Sequence, residues 1–301
     1  MTISRGCRSC QSGKWLCIFL TYLCNAHCAF CPAPWKQQDK IVSAFGDDPA
    51  AILKRIPRDA VKGISFSGGD CFVVFDRLVD WLSYFKQRRP DIYYWAYTNG
   101  LAADESKLKR LADTGLHEIR YNIAATNYDS PPILEQIKMA TGLFEKVAVE
   151  IPSIPEDYEK VISVLPLLDR MGVAYLNLHE YILNPEKCDR RKNTTGTFLL
   201  NKSVEIQYDP RSLKNTFRIR QFCGENSLKI QINNCSLQKK ENQMLQRRKT
   251  MGMLFRKKYE RLTRDGLLET RLTVPYGQQK KLFFLPPMSW DGKRVLLEVR
   301  D

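Results

Sequence analysis

Leu23-Cys24-Asn25-Ala26-His27-Cys28-Ala29-Phe30-Cys31-Pro32, at the end of an apolar run covering residues 15–23, decides how this chain is read. The run has the length and composition of a β-strand, so the three cysteines fall in the loop that leaves it. Their C-x3-C-x2-C spacing lets three thiolates converge on one metal centre. Three ligands leave one iron of a cubane [4Fe-4S] cluster without a protein donor, where a small molecule can bind. A second reading competes, because Cys7-x2-Cys10 and Cys28-x2-Cys31 also match the four-thiolate zinc ribbon of a non-catalytic nucleic-acid-binding protein. It leaves Cys24 unused and predicts nothing about the residues that follow.

Those residues carry a repeat. Asp47-Asp48-Pro49 opens a helix to residue 56, and residues 63–70 form a short strand ending in Gly68-Gly69-Asp70. A helix with apolar residues spaced at three and four covers 72–89, an aromatic strand 91–97 ends at Thr98-Asn99-Gly100, and a helix spans 101–114. Strands at 117–123, 146–151 and 174–181 alternate with helices at 132–143 and 156–170. Six strand-helix steps argue for parallel strands with right-handed crossovers. The expected fold is α/β, a partial (β/α)6 TIM-like barrel with a smaller basic α+β C-terminal part. The expected divisions are a turn-rich leader with a Cys pair at 1–14, the barrel at 15–184 and a basic region at 185–301.

In β/α barrels chemistry sits at the C-terminal ends of the strands. The strand period of two then puts Arg120 and Asn122 on the inner face of the fourth strand, Ala148 and Glu150 on the fifth, and Asn177 and His179 on the sixth. Tyr121, Ile123, Val147, Val149, Leu176 and Leu178 point to the helices. Polar residues inward and apolar residues outward mark Arg120, Asn122, Glu150, Asn177 and His179 as catalytic candidates. A plain ion pair between Arg120 and Glu150 is the structural alternative, and His27 and His117 read as structural.

The 301-residue chain has a net charge of +14 and ten cysteines. Residues 185–301 hold 26 Lys and Arg against 12 Asp and Glu, while residues 1–184 are balanced. An excess placed in one segment predicts an acidic macromolecular partner docked there. Residues 236–262 read as a long basic helix with Met244, Met251, Phe255, Tyr259 and Leu262 along one face, and a terminal hairpin is expected between 281–285 and 294–299 through Asp291-Gly292. No apolar N-terminal segment is visible, and the longest apolar run is about half a bilayer span. A cytoplasmic protein without membrane attachment is expected. Cys7, Cys10, Cys223 and Cys235 lie outside the cysteine loop and amount to four ligands. If the two ends of the chain pack together, they form an auxiliary iron-sulfur or zinc site.

The cysteine loop with this repeat behind it resembles the radical S-adenosylmethionine (SAM) superfamily. The resemblance implies a [4Fe-4S] cluster on Cys24, Cys28 and Cys31, SAM chelated at the free iron, and reductive cleavage of SAM to a 5′-deoxyadenosyl radical that abstracts hydrogen from a substrate. It implies Phe30 near the adenine, Ser67-Gly68-Gly69-Asp70 at the SAM amino group, and Thr98 and Asn99 at the ribose or methionine moiety. The superfamily has Gly-Gly-Glu at the second of these places, and this chain has Asp70 for the Glu. Gly6-Cys7-Arg8-Ser9-Cys10, Glu150-Ile151-Pro152-Ser153-Ile154-Pro155, Asn177-Leu178-His179-Glu180 and Asn234-Cys235-Ser236 resemble the mainly archaeal group related to pyruvate formate-lyase activating enzyme, over residues 6 to about 240. His179 stands where an Asn is expected. That resemblance implies an electron donor of the flavodoxin or ferredoxin type and a protein or peptide substrate, ahead of RNA or a small molecule.

Overall fold

The computed structural model describes residues 2–32, 38–184, 195–200, 204–275 and 293–300. The chain begins with a helix, α1 (Arg5–Gln11), where a turn-rich leader was expected. Ser4 supplies the reason, since its hydroxyl accepts from Cys7 N at 3.0 Å and caps the first turn. Cys7 and Cys10 consequently stand one helical turn apart on one side of α1.

The strand-helix steps then follow in the expected order. They are β1 (Trp15–Thr21), α2 (Pro49–Arg55), β2 (Gly63–Gly68), α3 (Phe75–Arg88), β3 (Tyr93–Thr98), α4 (Glu105–Asp113), β4 (Glu118–Tyr121), α5 (Pro131–Leu143), β5 (Lys146–Pro152), α6 (Tyr158–Arg170) and β6 (Tyr175–His179). All neighbouring strands pair in parallel. Asp48 caps α2 by accepting from Ala51 N at 2.7 Å, with Pro49 in the first turn. Tyr121, Ile123, Val147, Val149, Leu176 and Leu178 are all buried in the layer between sheet and helices. Each such apolar side chain contributes roughly 1.5–3 kcal/mol by leaving water. A one-residue slip in any strand would forfeit that and put its polar residues into the core.

After β6 come β7 (Gly196–Leu200) and β8 (Val204–Tyr208), an antiparallel pair, then α7 (Arg211–Glu225) and β9 (Gln231–Cys235). β9 does not stay in a separate small part of the fold. It pairs in parallel with β6 and becomes the seventh strand of the main sheet, with Asn177 opposite Asn233 and His179 opposite Cys235. The open backbone edge of β6 is thereby covered.

α8 (Leu237–Phe255) follows at once, capped by Ser236 and anchored by Glu180, which accepts from Leu237 N at 2.5 Å. It reaches from the β9 edge to the β1 edge, where Arg247 Nη1 donates to Trp15 O at 2.5 Å. The open side of the partial barrel is closed this way. α1 covers the strand-entry end, so tightly that a Cβ on Gly6 would stand 3.3 Å from the Trp95 ring.

β10 (Glu260–Leu262) is antiparallel to β11 (Leu268–Pro275), and β12 (Lys293–Arg300) runs parallel to β11. The expected terminal hairpin between 281–285 and 294–299 has its first strand and its turn outside the described residues. Residues 281–285 and 290–292 lie outside the described residues, as do Ala33, Pro34, Cys188 and the basic run Arg190-Arg191-Lys192. No helix among the described residues is long and apolar enough to cross a membrane.

Candidate active site

The cysteine loop leaves β1 at its C-terminal end and lies against the loop that leaves β2. Gly69 N donates to Thr21 O at 2.8 Å and Asp70 N to Leu23 O at 2.9 Å, so the two backbones cross in contact. Gly68 has φ +124° and Gly69 has none of the space a side chain needs, because a Cβ on either would run into the carbonyls of Thr21 and Leu23. On the far side of the loop Arg77 of α3 pins Asp39 through two bonds of 2.6 and 2.9 Å, and also donates to Leu20 O at 2.7 Å. That Arg77 fork holds the Asp39 carboxyl down to about 2.

The third side is the end of β3. Asn99 Nδ2 donates to Asn25 Oδ1 at 2.9 Å and approaches Cys24 Sγ at 3.5 Å, and Ala26 N approaches the same sulfur at 3.4 Å. N–H groups aimed at a sulfur are the surroundings that a cluster thiolate uses. The donor set and its setting therefore fit a three-cysteine [4Fe-4S] site. Phe30 is half-buried and borders an open cleft of ≈ 570 Å³ with Leu101, Asn127, Tyr128, Asp157 and Tyr181.

Asp70 is not presented to that cleft. Its carboxylate is 1% exposed and accepts from Phe72 N (2.9 Å), Asn99 N (2.6 Å) and Thr98 Oγ1 (3.0 and 3.1 Å). Asp70 and Thr98 thus stitch the β2 and β3 loops together, and Ser67 is half-buried opposite Phe19 of β1, one pairing before the last. Burial raises the Asp70 carboxyl against the pull of these donors. Asp70→Ala leaves two buried N–H groups without partners and is expected to cost about 2–4 kcal/mol. Urea unfolding checks this, and a loss below about 1 kcal/mol would show that the loops do not depend on Asp70.

Inside the barrel a cavity of ≈ 260 Å³ is bordered by Arg120, Glu150, Asn177 and His179. Four of the five candidates on the inner face are thus brought together. Arg120 is 4% exposed and bridges Glu118 at 2.6 Å and Glu150 at 2.8 Å, while its guanidinium lies 5.0 Å from the centre of the Trp95 ring. Glu150 also receives Asn177 Nδ2 at 2.9 Å and meets His179 Nε2 at 2.6 Å. Burial alone would raise the Glu150 carboxyl, but Arg120 and His179 outweigh it and hold the group well below the usual carboxylate range. For His179, burial and Lys240 oppose the charge, yet Cys235 and Glu150 raise it to about 9. Burial works against the Cys235 thiolate, and His179 with Lys240 still lowers that thiol.

Asn122 is the fifth candidate and stays apart. The chain leaves the strand after Tyr121 and enters a 3-10 turn, so alternation stops one residue too early for Asn122 to face the cavity. Cys7, Cys10 and Cys235 border the cavity, but Cys223 is carried by α7 and buried in the apolar core, which breaks up the expected four-cysteine set. Arg247 is turned inward to Trp15, and Arg248 and Lys249 are half-buried. The expected helix over 236–262 stops at Phe255, with Leu262 already in β10, so its apolar face splits. Met244 borders the cavity, Met251 packs on the core, and Phe255 and Tyr259 are exposed beside Arg256, Lys257 and Lys258.

Glu118, Trp95, Tyr97, Asn233 and Ser4 belong to the lumen network and were not expected. Glu118 was within reach of the period of two, standing two residues before Arg120, and Tyr97 and Trp95 likewise alternate on β3. Asn233 was not, because nothing in its segment placed β9 beside β6.

A three-quarter β/α barrel with a thiolate loop at the exit of its first strand, a glycine loop at the second and a polar lumen defines a cofactor-using barrel enzyme. The chain belongs to the radical SAM superfamily, whose family model matches residues 18–193. The enzymes of this superfamily work with a [4Fe-4S] cluster and SAM, and this chain is one of them. A candidate glycyl-radical enzyme activating enzyme of Methanocaldococcus jannaschii is 26% identical over 278 residues, spanning 88% of this chain and 72% of the relative. Among solved structures, SuiB of Streptococcus suis bound to SAM superimposes with a TM-score of 0.54 at 14% identity, over 73% of this chain and 50% of SuiB. SuiB bound to its precursor peptide SuiA gives 0.53 at 12% identity, over 94% of this chain and 57% of that one. Methylornithine synthase gives 0.52 at 11% identity, over 79% and 72%. This chain therefore spans about half the length of SuiB, and these likenesses bear on the fold.

Proposed function

We propose that this chain activates or modifies a protein or peptide by hydrogen abstraction, with Cys24, Cys28 and Cys31 holding its cluster and the Gly68-Gly69 loop seating SAM. When bound, the cluster and SAM supply a carbon-centred radical. The chain's own part is positioning: Asn99 and the β2 loop fix the cysteine loop, and the cleft beside Phe30 takes the adenosyl end. Arg120, Glu150, Asn177 and His179 form a held, charged wall across the lumen. The observation that carries this reading is the crossing of the two loops at Leu23, Gly69 and Asp70, which brings the thiolates and the glycine backbone to one place.

The name of the Methanocaldococcus relative supports a protein substrate, and the peptide-bound SuiB structure supports a peptide. Exposed Phe255 and Tyr259 beside Arg256, Lys257 and Lys258 suit an acidic partner with apolar contacts, either that substrate or an electron donor of the flavodoxin or ferredoxin type. Oxygen-sensitive chemistry and ten cysteines suit the reducing cytoplasm. The test is anaerobic: protein with dithionite and SAM is expected to yield 5′-deoxyadenosine, with the yield lost in Cys28→Ala. A colourless protein without this product would sink the reading. Steep salt-dependent binding to bulk RNA, with none to acidic proteins, would move the substrate to nucleic acid.

A further inference from the structure

The lumen holds a second constellation that the radical chemistry leaves unused. Cys7 and Cys10 look in from α1, one turn apart, and Cys235 looks in from the end of β9 across the same cavity. His179 is the register partner of Cys235 on β6. Its Nε2 is engaged at 2.6 Å by Glu150 Oε1, while Nδ1 is buried without a nitrogen or oxygen partner and the ring interacts with the Cys235 thiol. An imidazole held by a carboxylate through one nitrogen, with the other free of nitrogen and oxygen partners, is how proteins present histidine to a metal. N–H donors surround the sulfur of Cys7 as well, with Asn233 Nδ2 at 3.5 Å and Arg120 Nη2 at 3.6 Å.

We propose that Cys7, Cys10, Cys235 and His179 hold a second [4Fe-4S] cluster inside the barrel, ligated entirely by protein. The pattern is a C-x2-C pair plus one cysteine and one histidine, a full set for one centre. Single-ion zinc fits it poorly. Zinc would draw its four donors to within 2.0–2.3 Å of one point, whereas a cavity of ≈ 260 Å³ stays open between these groups. Among the described residues no three His, Cys, Asp or Glu side chains stand close enough to share one ion. A cubane spreads its ligands over four corners and occupies the space between them. Three thiolates make the centre anionic, and Lys240 and Arg247 border the same cavity with positive charge. Cys223, buried in the apolar layer, has no part in it.

The test separates this site from the first one. Cys24→Ala/Cys28→Ala/Cys31→Ala, purified anaerobically and reconstituted, is expected to keep roughly four iron and four sulfide per chain, about half the wild-type content, with an EPR signal after dithionite. Adding Cys235→Ala is expected to remove that iron, and adding Cys223→Ala is not. His179→Cys should retain the iron and lower the midpoint potential, since histidine ligation raises it. A folded triple variant without iron and sulfide overturns the proposal, as does stoichiometric zinc without sulfide, or iron that survives loss of Cys7, Cys10 and Cys235. If the triple variant fails to fold, reconstituted wild-type protein decides: about four iron instead of about eight overturns the second cluster. Loss of 5′-deoxyadenosine alone, with the second cluster retained, counts against the proposed function and leaves this site standing.

Discussion

Arg120→Met is expected to lower the stability of the protein by about 3–5 kcal/mol. Arg120 is the only cation that the described residues bring into contact with Glu118, whose side chain is fully buried, and it also pairs with Glu150. Burial disfavours the guanidinium charge, yet Glu118, Tyr97, Cys7 and Glu150 together hold Arg120 protonated far beyond any working pH. Without it two buried carboxylates face each other's field, and Glu118 keeps only the Tyr93 hydroxyl at 3.1 Å. In a chain of this size the loss corresponds to a drop in Tm of about 10 °C or more. Arg120→Met combined with Glu118→Gln should recover part of it, because the substitution removes the charge that was stranded. Thermal unfolding of the single and double variants checks both statements. A single variant within 1 kcal/mol of the wild type would show that water reaches the lumen and screens the pair.

The second large effect is expected at Gly69. Its Cβ position is taken up by backbone, the Leu23 carbonyl and Tyr22, and no rotamer change relieves a clash with backbone. Gly69→Ala therefore has to push the β2 loop away from the cysteine loop, at a cost of about 1–3 kcal/mol in stability. Displacement of about 1 Å between positioning and reacting groups costs about 100-fold in rate. Formation of 5′-deoxyadenosine should fall by that order while far-UV circular dichroism stays unchanged. Gly142→Ala, on the exposed side of α5 with open space at its Cβ, is the control and should leave both properties intact. Equal rates for Gly69→Ala and wild type would detach the loop crossing from catalysis.

The barrel from β1 to β6 was legible because each strand alternates cleanly and each helix has one apolar face. Tyr121, Val147, Val149, Leu176 and Leu178 fell where the period of two put them. Its lumen was legible for the same reason, down to the Arg120–Glu150 pair. What was not legible depends on contacts between distant parts of the chain. The Gln231–Cys235 strand, Gln-Ile-Asn-Asn-Cys, carries no apolar alternation that would mark it as a sheet strand until β6 offers its edge. Cys223 and Cys235 look equivalent as cysteines, and only the helix face of α7 and the strand face of β9 separate them. A charge run is equally silent about contacts: Arg247 stands among basic residues, and its guanidinium is spent on a carbonyl of β1.

The closure of the barrel by α1 and α8 also sets the order in which the molecule can be made. The bond from Arg247 to Trp15 spans 232 residues, and that from Asn233 to Cys7 spans 226. During synthesis α1 emerges before the barrel, yet every group that receives it belongs to strands or a helix made later, out to Arg247 beside Gly13. Until then its cysteines and the floor of the barrel stay open to solvent. Contacts of such sequence separation are slow to form because the chain entropy between them is lost before they bring any gain. Maturation is therefore a late event for this fold, whose lumen cannot be sealed before α8 has been made.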